Sequence, residues 1–110
     1  KAIHSLKEAG DLIRKGRNII SFPEGTRSIT GKTSNFKKGS FIIAKQGNIP
    51  IVPVAIRNSN HVNPNNSFKL NKGTIKISFG KIIDNLTKFK TPLELASYTK
   101  KEVEKLYQEL

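Results

Sequence analysis

The chain has no cysteine, methionine or tryptophan among its 110 residues. Without cysteine it forms neither a disulfide nor a thiolate metal site, which fits a reducing compartment. Nor is there an apolar run of about 18 residues, the length that a helix needs to cross a bilayer. The start, Lys1-Ala2-Ile3-His4-Ser5-Leu6-Lys7-Glu8, is charged and amphipathic, unlike the apolar core of a signal peptide. It begins with Lys rather than Met, inside what reads as a helix, so further sequence is expected before it. Acidic residues are also scarce, 8 against 20 basic ones, and the formal charge is +12. That excess favours an anionic partner: phosphorylated metabolites, acidic lipid headgroups and nucleic acid all qualify. Much of it is lysine spread along the chain, as on an ordinary solvated surface. Internal repeats and low-complexity tracts are absent.

What the sequence does contain is Phe22-Pro23-Glu24-Gly25-Thr26-Arg27-Ser28, directly after the apolar run Ile19-Ile20-Ser21. A strand should give way to a loop here. Pro23 fixes its own φ, and Gly25 permits a backbone turn closed to residues with a Cβ. A loop of this kind brings amides close to an anion. Arg27 offers a planar fork of donors that matches a phosphate bidentately, with the hydroxyls of Thr26 and Ser28 beside it. Glu24 cannot bind phosphate; its expected role is to accept hydrogen bonds from substrate hydroxyls or from Arg27. On composition alone, a turn with a surface ion pair explains the loop about equally well.

Around this loop the chain reads as an α/β fold, a mixed sheet flanked by helices, with about three or four strands and three helices. Residues 2–15 have the helical period, with Ile3, Leu6, Ala9, Gly10 and Ile13 on one face and Gly16 as the stop. Asn18 to Phe22 is expected as a strand covered on both sides. Gly31-Lys32-Thr33 suggests a Walker phosphate loop, but position 26 is threonine where that motif needs glycine. A second amphipathic helix is predicted over 39–46, preceded by Phe36, Lys37 and Lys38. Either lysine could add charge at a phosphate or be solvated. Ile51 to Ile56 reads as a strand that Pro53 confines to a bulge, an edge or a strand end. Residues 57–72 read as a long polar loop, and 74–79 alternates as an edge strand with one wet face. Ile82-Ile83-Asp84 is expected to pair briefly. Thr91, Pro92 and Glu94 then form a capping-box pattern for a last helix, with Ala96, Val103, Leu106, Tyr107 and Leu110 on its apolar face.

The Phe22–Ser28 string resembles the substrate-binding block of the glycerolipid acyltransferases, the family that includes the PlsC-like 1-acylglycerol-3-phosphate acyltransferases. Phe36 with its basic neighbours and Gly39, and the Ile51-Val52-Pro53-Val54 block, fit the same pattern at similar distances. The resemblance implies a partial glycerol-3-phosphate acyltransferase-like domain, with residues 1–110 as its C-terminal part. It implies transfer of a fatty acyl group from acyl-CoA or acyl carrier protein, as co-substrate and without other cofactor or metal, to a lysophosphatidic-acid-like acceptor. The acceptor's phosphate would sit on Arg27, with Phe22, Pro23, Glu24, Gly25, Thr26 and Ser28 as the rest of the seat. Lys37, Lys38 and Pro53 are secondary candidates. It also implies work at the cytoplasmic side of a membrane, where each well-placed Lys or Arg contributes roughly 1 kcal/mol at an anionic surface.

Acyl transfer to a hydroxyl needs a base. The resembled enzymes place a His and, after four intervening residues, an Asp. Here the position after His4 holds Ala9, and that after His61 holds Asn66. No catalytic residue is therefore assigned, and the 110 residues alone are expected to be inactive. Two alternatives stand beside this reading: a basic nucleic-acid-binding module, which lacks any recognised motif, and a non-catalytic acyltransferase-like partner subunit.

Overall fold

The computed structural model of the chain describes residues 2–24, 36–58, 62 and 70–110. In order these form helix α1 (Ala2–Arg14), helix α2 (Gly39–Gln46), strand β1 (Val54–Arg57), strand β2 (Lys76–Phe79), a short 3-10 turn (Leu86–Lys88) and helix α3 (Pro92–Glu109). The fold is α/β, a small sheet with helices packed on it. None of the described helices is long and apolar enough to cross a membrane.

The first helix ends where glycine allows it. Gly16 takes φ +88°; its N–H donates to the Ile13 carbonyl at 2.9 Å, and the Arg17 N–H reaches back to Leu12 at 3.1 Å. That is a Schellman closure, and it turns the chain out of the helix. Farther back, a Cβ on Gly10 would lie 3.4 Å from the Ile43 side chain, so α1 crosses α2 closely at this point.

Helix α2 matches the predicted 39–46 and is held from two sides. Phe41 and Ala44, one turn apart, are buried in the core, while Ile43 meets α1. Phe41, Ala44, Ile83, Leu86, Leu95 and Ala96 form that core, with Phe36, Ile49, Ile51 and Phe89 packed around it. Asn48, at φ 48°, holds one corner by accepting the Leu86 N–H on Oδ1 at 2.8 Å.

The strands are antiparallel, with Val54 opposite Phe79, Ala55 opposite Ser78, Ile56 opposite Ile77 and Arg57 opposite Lys76. The block expected as one strand over 51–56 is split. Ile51 makes an isolated bridge to Ile83, and the ladder starts only after Pro53, whose missing N–H cannot join it. The brief pairing expected near Ile83 is this same bridge. Pro53 accepts the Gly80 N–H at 2.8 Å on its carbonyl.

Helix α3 starts at the expected cap. The Glu94 N–H donates to Thr91 Oγ1 at 3.1 Å, and the Glu94 carboxylate accepts from the Lys90 N–H at 2.7 Å. At its other end Arg57 donates to the Tyr107 carbonyl at 3.1 Å, and its guanidinium carbon stands 4.9 Å from that residue's ring centre. A cation there suits the negative end of the helix dipole.

Three expectations are corrected. Residues 18–22 belong to no ladder among the described residues, and Ile20 and Phe22 are 85% and 73% exposed. A strand is a relation between two segments, and the described residues supply no neighbour for this one. Second, Leu95 is fully buried although it stood outside the expected apolar face of α3. Its partner one turn on is Thr99, buried with its hydroxyl donating to the Leu95 carbonyl at 2.8 Å. A polar letter thus hides an inward position. Third, the strand expected over 74–79 is shorter, Lys76–Phe79, and Ser78 stands beside the buried Ala55, on the side where α3 packs. Its apolar residues face the other way.

Candidate functional site

The described residues frame the arginine loop from both sides. On the near side the chain leaves the Schellman turn at Gly16 without regular structure and reaches exposed Phe22, then half-buried Pro23 and Glu24. On the far side Phe36 is half-buried, its ring stacked on Phe41 at 6.1 Å between centres and 15° between planes. That contact anchors the returning chain to the core. The two limbs are joined directly: the Lys37 N–H donates to the Pro23 carbonyl at 2.7 Å. The segment bearing Gly25, Thr26, Arg27 and Ser28 is therefore closed at its base beside the start of α2. Those four residues lie outside the described residues.

Lys37 and Lys38 are exposed at this base. Lys38 is the N-cap of α2, at φ −81° and ψ −9°, and its side chain makes no capping hydrogen bond. The first intrahelical bond runs from the Ile42 N–H to the Lys38 carbonyl at 3.0 Å. The amides of the first turn thus face the loop end of the helix, where the dipole is positive. Two ammonium groups, a helix N-terminus and a chain closure all stand at one place, an electrostatic setting that suits an anion. The sequence already offered the lysines. The amides of α2 were missed, and Gly39-Ser40 ahead of an apolar stretch was the available signal.

Pro53 stands elsewhere in the packing. It is buried, and a Cβ on Gly80 would lie 2.9 Å from both its Cγ and Leu106 Cδ1, so its ring fills the seam between the sheet and α3. His4 falls in α1, and His61 lies outside the described residues. Among the described residues no cluster of three or more His, Asp or Glu could hold a metal. A shallow groove of about 400 Å³ runs between α1 and α2, lined by Lys7, Arg14, Ile42, Ile43 and Gln46 among others. Arg14 is engaged there with Asp11.

Comparison with known proteins gives this arrangement its relatives. The acyltransferase family model matches residues 1–57. The chloroplastic 1-acyl-sn-glycerol-3-phosphate acyltransferase BAT2 of Brassica napus is 37% identical over 82 residues, 74% of this chain and 24% of its own. The 1-acyl-sn-glycerol-3-phosphate acyltransferase of Saccharomyces cerevisiae is 38% identical over 95 residues, 82% of this chain and 31% of its own. The crystal structure of the 1-acyl-sn-glycerophosphate acyltransferase PlsC from Thermotoga maritima superposes with a TM-score of 0.88 at 33% identity, covering 94% of this chain and 43% of that one. The chain thus spans 24% and 31% of the lengths of these two curated relatives. With the family model covering more than half of it and the solved fold nearly all of it, the chain belongs to the acyltransferase family, among its PlsC-like glycerolipid members.

Proposed function

We propose that the chain supplies the acceptor-phosphate seat of a 1-acylglycerol-3-phosphate acyltransferase in phospholipid biosynthesis. Arg27 holds the phosphate of a lysophosphatidic-acid-like acceptor bidentately, Glu24 orders the glycerol hydroxyls or Arg27 itself, and Lys37 and Lys38 add positive charge at the base. The donor is an acyl-CoA or acyl-carrier-protein thioester. The general base comes from the part of the domain outside these residues, since neither His4 nor His61 has the Asp spacing. The reaction then runs at the cytoplasmic side of a membrane, where the basic surface meets anionic headgroups.

The observation that carries this reading is the bond between the Pro23 carbonyl and the Lys37 N–H. It fixes the ends of the arginine-bearing segment against the positive end of α2. Membership in the acyltransferase family favours it over nucleic-acid binding. The test compares Arg27→Ala with Arg14→Ala in a protein that carries the whole domain. Arg27→Ala is expected to cost about 2 kcal/mol or more in kcat/KM for the acceptor, the loss of a charge-assisted bidentate contact. Arg14→Ala, at an exposed pair with Asp11, should cost well under 1 kcal/mol. Equal kinetics for the two would remove Arg27 from the seat.

A further inference from the structure

The end of the β1–β2 ladder carries a charge arrangement that packing does not explain. Arg57, the last residue of β1, stands directly opposite Lys76, the first of β2. Like charges so placed destabilise an antiparallel pair. Both residues are exposed, and neither is in an ion pair among the described residues. Just beyond them the Asn58 side-chain amide donates to the Thr74 carbonyl at 3.2 Å, with Asn58 at φ 77°. That bond ties the two strand ends together and keeps the cations side by side.

Arg57 is also aimed. Its guanidinium donates to the Tyr107 carbonyl at 3.1 Å and lies over the Tyr107 ring, the central carbon 4.9 Å from the ring centre. This contact takes one donor of a group that carries several in a fixed plane, and the others remain for a ligand. Together with the Lys76 ammonium they suit a group with several anionic oxygens, a phosphate above all. The pair also closes the carboxyl end of β1, the place where α/β folds hold their ligands.

Which phosphate it takes follows from what acyl transfer brings together. The acceptor's phosphate is assigned to the arginine loop in the reading above. The donor brings another: acyl-CoA and acyl carrier protein both present the acyl group on a pantetheine arm that ends in a phosphate ester, and CoA carries further phosphates beyond it. We propose that Arg57 and Lys76 form a donor subsite that grips the phosphate end of this arm. The proposal rests on the acyl-transfer reading but not on Arg27, because its readout is the donor and that of Arg27 is the acceptor.

The test measures kcat/KM in a protein carrying the whole domain, with acyl-CoA, acyl carrier protein and acyl-pantetheine, the same arm without phosphate, as donors. Lys76→Glu is compared with Lys101→Glu, an equal charge change at an exposed residue of α3. Lys76→Glu is expected to lower kcat/KM for acyl-CoA about tenfold, the loss of a charge-assisted contact, and to leave acyl-pantetheine unchanged. Lys76→Arg should keep the activity of the unaltered protein. Because Glu opposite Arg57 replaces repulsion with attraction, Tm should not fall, which separates lost binding from lost structure. An equal loss with acyl carrier protein places the contact on the phosphate common to both donors, and a loss with acyl-CoA alone places it on the nucleotide's phosphates; either supports the subsite. No loss, an equal loss with acyl-pantetheine as a membrane contact would give, a loss confined to acyl carrier protein, or an equal loss from Lys101→Glu would overturn it.

Discussion

At the scale of single residues, close approach decides more than chemical type. Gly80 lies where the sheet meets α3, and a methyl added there would sit 2.9 Å from Leu106 Cδ1 and from Pro53 Cγ. Gly80→Ala is therefore expected to destabilise the chain by about 1–3 kcal/mol, measured by urea unfolding. A neutral result would show that the seam is looser than its geometry. Pro53 draws its importance from the same seam. Its position in an acyltransferase-like block and its burial against Gly80 are compatible, because a residue that sets the strand can shape a site without touching substrate. The hydrogen bond from the Lys37 N–H to the Pro23 carbonyl is the opposite case. Any non-proline residue could donate it, so no letter in the sequence announced it. The lysines beside it were legible as charge, but the closure that puts them at the loop's base was not.

At the scale of elements, legibility followed how local the cause is. The Gly39–Gln46 helix and the Thr91 cap were readable because a helix is built from neighbours in sequence, with caps that have their own signature. The alternation over 74–79 groups Ile77 and Phe79 on one face, as the ladder does. It does not say which face meets the molecule, and the placement of α3 settles that. Residues 18–22 read as a strand from their apolar run, yet hydrogen bonding to a neighbouring segment is what makes a strand. Helix α3 provides a direct check of burial against composition. Leu95 is wholly buried and Leu93 is 61% exposed, two positions apart on one helix. Leu95→Ala should cost about 2–5 kcal/mol, and Leu93→Ala no more than about 0.5 kcal/mol, in paired denaturation curves. Equal losses would mean that the core does not run along Leu95, Ala96 and Thr99.

On the scale of the whole molecule, what is present and what is shared out agree. The buried core is small, while apolar side chains on 19–22 and across the sheet stay exposed, and the solved relative has more than half its residues outside the matched region. The arginine loop is closed at its base beside the start of α2, and neither His4 nor His61 has an Asp five positions on. The 110 residues by themselves are accordingly expected to show no acyl transfer; turnover by the pure chain that His61→Ala abolishes would contradict that division of labour. The most direct measurement of the central claim crosses one mutation with one substrate deletion in a protein carrying the whole domain. kcat/KM is compared for Arg27 and Arg27→Ala, on the phosphorylated acceptor and on the same acylglycerol lacking its phosphate. If Arg27 grips the phosphate, the mutation lowers kcat/KM about 30-fold on the first, as roughly 2 kcal/mol requires, and leaves the second unchanged. An equal loss on both acceptors would mean that Arg27 acts elsewhere than on the phosphate.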